Sequence, residues 1–194
     1  MNWRSKKMKN GAAKKDGTIL GMRYRWLDNV GGYIRSPEPG CTFRPLGNWV
    51  GPYRFQNLEV DASVVMTNKS LTGPNRGYAC GHLYFETERM IDLLAEKLGQ
   101  DPADVRRKNL ISSDAFPYRT PTGGLYDSGD YGAAFQKALE IARYDELRRG
   151  DYPAARTALV EALGILDRTG PLADALSVRR ALADALAASG QLQG

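Results

Sequence analysis

The sequence predicts an α+β protein in which antiparallel strands are followed by helices, with an all-helical extension at the C-terminal end. Residues 16–70 alternate apolar and polar side chains, residues 82–149 repeat apolar side chains at helical spacing, and residues 150–194 are rich in alanine and leucine. We therefore expect three segments: a basic, disordered N-terminal arm at 1–15, a folded part at 16–149 and a helical extension at 150–194.

The composition excludes several classes of protein. No apolar run is long enough for a membrane span, and the basic N-terminus lacks the apolar core of a secretory signal, so we expect a cytoplasmic protein without membrane contact.

The first 15 residues hold six Lys or Arg and no acid, a composition that would suit binding to nucleic acid. Without a zinc-ligand spacing or a helix-turn-helix pattern, a solvated arm is the simpler interpretation. Cys41, Cys80 and His82 are too few to predict a metal centre.

Two stretches have the period of two that is typical of half-buried strands. The first follows a predicted Asp-Gly turn at 16–17, and the second spans 55–66. In the first stretch one face holds Leu20, Met22, Tyr24 and Trp26, and the other holds Ile19, Arg23 and Arg25. In the second stretch the apolar face holds Leu58, Val60, Ala62, Val64 and Met66.

Three helices are predicted after residue 82. The first runs from 83 to 98, ends at Gly99 and carries three glutamates that we assign to its solvated face, namely Glu86, Glu88 and Glu96. The second begins at Asp101-Pro102, where the carboxylate can accept from the first backbone N–H groups. An irregular stretch is expected at 116–126 because it holds two prolines and two glycines, and a single third helix at 128–149.

The alanine-rich segment 150–194 contains two helical patterns offset by 40 residues, which resembles a tetratricopeptide-type repeat. So short an array would have to pack on another structure to be stable. This leaves an alternative function open, that of a non-catalytic interaction module that uses this extension.

The stretch TGPNRGYACGH, residues 72–82, places Arg76, Tyr78 and Cys80 at alternate positions among small residues just before a helix. The residue types alone allow two interpretations. The stretch is either a polar connection, or a loop whose backbone approaches a ligand with side chains projecting around it.

Four stretches resemble, in the same order, the large molybdenum-binding subunit of the xanthine dehydrogenase and aldehyde oxidase family. They cover roughly residues 12–148 and read KKDGTILGMRYRWLDNVGGY, TNKSLTGPNRGYACG, ERMIDLLAEKLGQDPADVRRKNLI and FPYRTPTGGLYDSGDYGAAFQKALE. The resemblance implies that 16–149 is a fragment of a molybdopterin-binding domain, with molybdenum–molybdopterin in its dinucleotide form as cofactor. It also implies iron–sulfur and flavin partners, and oxidative hydroxylation of an aldehyde or an N-heterocycle with oxygen from water.

The resemblance also implies roles for four residues. The backbone at Arg76 and Gly77 would approach the cofactor, Tyr78 would pack against the substrate, and Arg44 would bind the polar edge of the substrate. The carbon monoxide dehydrogenase branch has a copper-binding cysteine directly after the loop arginine, where this chain has Gly77. Cys80 lies three residues later and is expected to be a packing residue.

Two further motifs of the family are not found in the sequence. They are the Gly-Gly-x-Phe-Gly segment that contacts the cofactor and the Gly-x-Gly-Glu segment that carries the catalytic base. We therefore assign no catalytic residue and expect the isolated chain to be inactive.

Overall fold

The computed structural model describes residues 10–55, 57–74 and 76–150. The chain divides into two compact units, Met1–Gly132 and Ala133–Gly194. The helices predicted for 150–194 lie outside the described residues, apart from Gly150, and the predicted boundary between 149 and 150 stays a prediction. None of the described helices is long and apolar enough to cross a membrane.

The first unit is built on a three-stranded sheet with the order β1-β2-β3. The strands are β1 (Asn10–Ala13), β2 (Ile19–Gly31) and β3 (Asn57–Met66). Strand β1 lies inside the segment 1–15 for which we expected disorder, so the folded part begins before residue 16. The predicted Asp-Gly turn is confirmed, since the Lys14 N–H donates to the Thr18 carbonyl at 2.8 Å across it.

The expectation of purely antiparallel strands is wrong, because β2 pairs with β3 in parallel. Parallel neighbours need a crossover connection of a dozen or more residues, and 32–56 provides one. This connection contains the helix α1 (Gly40–Phe43) and a 3₁₀ helix (Arg44–Asn48). The sheet is therefore mixed, with β1 antiparallel and β3 parallel to the central strand.

A bulge in the hairpin changes which side chains of β2 share a face. The register shifts between Ala12 and Ala13, so that Leu20 has no partner across the hairpin. Ile19 consequently lies in the core, 1% exposed, and not on the solvent side with the arginines of the strand, where the alternation placed it. The alternation predicted for β3 is confirmed up to Val64, whereas Met66 at the strand end is 61% exposed.

The core lies between the sheet and a long helix, α2 (Cys80–Leu98). Trp49 is fully buried and makes edge contacts with the rings of Tyr24 and Trp26 at centroid distances of 5.7 and 5.4 Å. The Tyr24 hydroxyl also meets the Thr87 hydroxyl of α2 at 2.9 Å. The long connection after β2 and the helix are thus fixed to the same strand.

Both helix boundaries predicted around 99–102 are confirmed. Gly99 ends α2 in the left-handed region, and the Asp101 carboxylate accepts from the N–H groups of Ala103 and Asp104 at the start of α3 (Pro102–Asn109). The glutamates of α2 are only partly as predicted. Glu86 is 4% exposed because it lies one turn from Leu83 on the face that packs against the sheet, so its assignment to the solvated face is wrong.

The C-terminal part of the described chain differs from the prediction in two places. A short hairpin forms within 116–126 from β4 (Tyr118–Arg119) and β5 (Leu125–Tyr126), because the Thr120 side chain holds the turn. The single helix predicted for 128–149 is two helices, α4 (Tyr131–Ile141) and α5 (Tyr144–Arg149). Arg143 separates them with a φ of 48°, a left-handed conformation that interrupts a helix.

Candidate functional site

The loop 67–79 after β3 begins at a close contact with the end of β2. Gly31 has a φ of +93°, and a Cβ placed there would lie 2.6 Å from the Ser70 carbonyl oxygen. The Thr72 N–H then donates to the Val30 carbonyl at 3.1 Å. Only glycine allows this approach of two backbones, which fixes the start of the loop.

The tip of the loop is held in a tight turn before α2. The Cys80 N–H donates to the Gly77 carbonyl at 2.9 Å, and the backbone of Gly77 and Tyr78 has φ values of +84° and +51°. A positive φ is uncommon in a non-glycine residue, and such conformations cluster at functional sites. Tyr78 is 39% exposed, so this backbone conformation presents its ring at the surface and not in the core.

Arg44 reaches the same surface from the crossover connection. The preceding residues are fixed, since Cys41 and Thr42 are buried and the Thr42 hydroxyl donates to the Asp28 carboxylate of β2. Pro45 and Trp49 anchor the other side of Arg44 in the core. The arginine is therefore an exposed side chain on a rigid base.

The structure brings two of the four predicted site residues into contact. The Arg44 guanidinium lies over the Tyr78 ring, 4.9 Å from its centroid, and Nη1 donates to the Tyr78 hydroxyl at 3.4 Å. A guanidinium over a phenol ring is a cation–π contact. One face of Tyr78 is thus covered by Arg44, and because the residue is 39% exposed, part of its side chain remains accessible to a ligand.

Arg76 and Gly77 form the outer edge of this site. Both are exposed, and a Cβ at Gly77 would have no described atom within 4 Å. The same holds for Gly73 within the loop and for Gly81 in the first turn of α2. Backbone is therefore accessible at Gly73 and Gly77, as the interpretation of a ligand-approaching loop requires.

The loop side of the site is positive, whereas Glu38 and Asp28 lie near Cys41 on the side of Arg44. Arg44 and Arg76 contribute two guanidinium groups, residues 67–82 contain no acid, and no acid occupies the first turn of α2. The N-terminal end of a helix carries partial positive charge and adds to this. The site suits an anionic or electron-rich ligand.

The two cysteines and the histidine near the site, Cys41, Cys80 and His82, each lie against neighbouring protein groups. Burial and, to a lesser extent, the neighbouring Glu38 raise the pKa of the Cys41 thiol, which disfavours a thiolate. The Cys80 thiol lies against the Tyr84 hydroxyl, whose pKa is raised mainly by burial. The His82 ring makes an edge contact with Trp26 at 6.5 Å. Among the described residues, no three His, Cys, Asp or Glu side chains are placed to hold a metal ion.

The contact between Arg44 and Tyr78 was not predicted from the sequence. The two residues are 34 positions apart, and no local pattern relates them. One sequence feature does indicate a special position for Tyr78: the residue lies between two small residues, Gly77 and Ala79, which is typical of a strained loop.

The sequence profile of the molybdopterin cofactor-binding domain family matches residues 5–110. The chain is similar to the carbon monoxide dehydrogenase large chain of Hydrogenophaga pseudoflava, with 37% identity over 152 residues. It is also similar to the gamma subunit of the 6-hydroxypseudooxynicotine dehydrogenase complex of Paenarthrobacter nicotinovorans, with 33% identity over 143 residues. These matches cover 75% and 70% of this chain but 17% and 18% of the two relatives.

A solved structure with the same fold is that of quinoline 2-oxidoreductase from Pseudomonas putida 86. The TM-score is 0.68 at 25% identity, and the match covers 78% of this chain and 19% of that one. The described fold therefore corresponds to a part of a much longer polypeptide in the relatives.

Proposed function

Because this chain belongs to the family of the molybdopterin cofactor-binding domain, we propose that it forms part of the molybdenum site of a large hydroxylase subunit. The proposed substrates are an aldehyde or an N-heterocycle. The observation that carries the proposal is the contact of Arg44 with Tyr78 beside an open, glycine-lined loop. The chain covers part of the molybdopterin-binding domain, and the cofactor of the family is molybdenum–molybdopterin.

The residues of the loop fit this cofactor chemically. Molybdopterin is an anionic, oxygen-rich group, and the loop offers exposed glycine backbone and the exposed Arg76 in a segment, 67–82, whose sequence contains no acid. The open position beside Gly77 leaves room for the cofactor where any side chain would intrude. We propose that Arg76 and Gly77 contact the cofactor, in its dinucleotide form, mainly through their backbone.

The roles of Tyr78 and Arg44 follow from their geometry. The exposed part of the Tyr78 ring can pack against a planar substrate and hold it in one orientation. The Arg44 guanidinium, already beside the phenol hydroxyl, can donate to a carbonyl oxygen or a ring nitrogen and stabilise negative charge that develops there. When bound, the molybdenum cofactor supplies the oxidation of the substrate C–H bond with oxygen from water.

The choice of substrate rests on one position. The chain is similar to carbon monoxide dehydrogenase large chains. The family resemblance implies that a copper-binding cysteine follows the loop arginine in that branch. Gly77 occupies this position here and has no ligand atom for a metal. This supports an aldehyde or N-heterocycle over carbon monoxide. Iron–sulfur and flavin subunits are the proposed acceptors of the electrons.

A graft of residues 16–148 into a complete homologous large subunit tests the proposal. We expect the graft to retain molybdenum and pterin, measured by metal analysis and pterin fluorescence, and to oxidise an aldehyde or an N-heterocycle with a dye as acceptor. A folded graft that holds no molybdenum would contradict the proposed function. Turnover of carbon monoxide alone would contradict the proposed substrate class.

A further inference from the structure

The turn of the β4–β5 hairpin packs directly on the 3₁₀ helix that carries Arg44. The Thr120 hydroxyl donates to the Gly47 carbonyl at 2.9 Å, and Thr120 is 3% exposed. Gly47 lies in the 3₁₀ helix, three residues after Arg44. Because residues three apart in a 3₁₀ helix lie on the same face, the hairpin meets the helix on the face of Arg44.

All hydrogen-bonding positions of the Thr120 hydroxyl are used in this contact. Besides its donation to Gly47, the hydroxyl accepts from the Gly124 N–H at 2.9 Å and lies 3.3 Å from the Thr122 hydroxyl. A hydroxyl has one donor and two acceptor positions, so Thr122 is the donor in that pair. Loss of the Thr120 hydroxyl would therefore remove a partner from the Gly47 carbonyl and from the Gly124 N–H.

A close approach of two backbones adds to these hydrogen bonds. A Cβ placed at Gly124 would overlap the Gly47 carbonyl oxygen, so only glycine allows the turn to lie this close to the helix. Gly124 does not have a positive φ. Glycine is therefore required here by the contact with the helix and not by the local backbone conformation.

The hairpin holds the crossover connection at a second point. The Tyr126 hydroxyl donates to the Gly51 carbonyl at 3.1 Å. Gly51 in turn lies against α2, since a Cβ placed there would be 4.0 Å from the Tyr84 ring. The hairpin thus fixes the connection at 47 and at 51, between Arg44 and the helix that follows Tyr78.

The contact of Arg44 with Tyr78 is sensitive to the position of the 3₁₀ helix. The 3.4 Å between Nη1 and the hydroxyl already exceeds the usual N–H···O range of about 2.7–3.2 Å, so a displacement on the order of 0.5 Å would break this hydrogen bond. Pro45 is buried and attaches a different face of the helix to the core. A helix attached along one face can still tilt about it, and the hairpin removes this freedom.

We propose that Thr120 and Gly124 are positioning residues of the substrate site, which act through Gly47 to set Arg44 against Tyr78. This role rests on the proposed function, because it concerns the same substrate site. It assigns neither residue a contact with the substrate or the cofactor.

The first test measures the position of Arg44 in the full chain by NMR and needs no cofactor. The signal is the nuclear Overhauser effect (NOE) between the Arg44 side-chain protons and the Tyr78 ring protons, which lie in contact. We expect Thr120→Val, which keeps the shape and removes the hydroxyl, to lose most of the NOE intensity. Thr120→Ser keeps the hydroxyl and should retain it. Gly124→Ala should also lose most of it, because the added methyl group must displace the Gly47 carbonyl.

Gly40→Ala is the matched control for Gly124→Ala. Gly40 lies in the same crossover connection without a positive φ, and a Cβ there would have no described neighbouring atom within 4 Å. The control should leave the NOE unchanged. Unchanged intensity in both Thr120→Val and Gly124→Ala, an equal loss in Thr120→Ser or Gly40→Ala, or no NOE in the unmodified chain would overturn the proposal. If the amide spectrum shows that Thr120→Val unfolds the chain, Gly124→Ala decides.

The second test measures the kinetic consequence in the graft of residues 16–148. Thr120→Val should lower kcat/KM for an N-heterocycle by about tenfold with unchanged molybdenum content, because it misplaces Arg44. Thr120→Ser should restore kcat/KM to within about twofold. In an Arg44→Gln background, Thr120→Val should have little further effect, and additive losses would contradict a role through Arg44. A graft without molybdenum would contradict the proposed function, whereas the NMR result would still decide the positioning role.

Discussion

Arg44 covers one face of the Tyr78 ring and donates to its hydroxyl at 3.4 Å, although the two residues belong to different connections of the sheet. The arginine follows α1 in the crossover between parallel strands, and the tyrosine precedes α2. Because both side chains are exposed, their contact is not a consequence of core packing. We therefore treat them as one binding unit in the first two predictions.

Tyr78→Ala in the graft of residues 16–148 should lower kcat/KM by on the order of ten- to a hundredfold, about 1.4–2.7 kcal/mol of transition-state stabilisation, because the ring contacts and orients the substrate. Molybdenum content should stay unchanged. Tyr78→Phe is the control, since it keeps the ring and loses only the hydrogen bond to Arg44. If Tyr78→Ala unfolds the graft without a selective kinetic effect, the ring is structural.

Arg44→Gln should lower kcat/KM for an N-heterocycle by about tenfold or more, because it removes a charge-assisted donor. Steady-state kinetics in the same graft measure the effect. Arg44→Lys should recover part of the loss, since it keeps the charge but not the planar fork. Unchanged kinetics in Arg44→Gln would leave the arginine with no role beyond its contact with Tyr78.

Gly77→Val should lower the molybdenum and pterin content of the graft, because its side chain would occupy the open space in front of the loop. Valine at this position would also strain the backbone, because Gly77 has a φ of +84°, so the experiment needs a control for strain without loss of open space at the loop. Gly123→Val supplies this control, with a φ of +88° and an equally open position in the β4–β5 turn. Equal losses of metal in both variants would assign the effect to strain.

Asn109→Ala should destabilise the chain by about 2–4 kcal/mol, because it leaves several buried polar groups without partners. The Asn109 amide donates to the carbonyls of Gly17 and Val105 at 2.8 and 2.7 Å and accepts from the Ile19 N–H at 2.8 Å. Urea denaturation measures the difference. Asn48→Ala, at an exposed position, should change stability by no more than about 0.5 kcal/mol, and equal effects would refute the structural role of Asn109.

The hairpin turn should contribute stability that depends on pH below neutrality. The Thr18 N–H, the Lys108 ammonium and the Thr18 hydroxyl lower the pKa of Asp16 to about 2 from 3.8. Since the folded-state pKa is lower, the contribution is complete above the unfolded value and is lost as the pH falls from about 4 to 2. A ¹³C NMR titration of the carboxylate measures the pKa, and a midpoint near 4 would contradict the expected turn geometry.

The elements with local signals could be predicted from the sequence. The Asp-Gly turn, the alternation of β3, the left-handed end of α2 at Gly99 and the cap at Asp101 all depend on residues within one turn of one another. The burial of Glu86 could not be predicted with the same certainty, because a charged residue at the edge of an apolar stripe is normally solvated.

The relationships that form the site depend on long-range structure. The parallel pairing of β3 follows from the path of residues 32–56, which has no periodic pattern of its own. The contact of Arg44 with Tyr78 follows in turn from that path. The break at Arg143 had no glycine or proline to mark it, so a continuous helix was the reasonable prediction.

The crossover connection has a consequence for how this fold can change its ligands. The connection that permits parallel pairing also carries Arg44, and β2 and β3 are held together by their own hydrogen bonds. Insertions or deletions in the exposed part of the connection, around 33–37, would leave both the register of the strands and the position of Arg44 unchanged, because buried residues fix the chain on either side of the arginine. A new ligand preference on this scaffold is therefore expected from substitution at position 44 and not from the length of the connection.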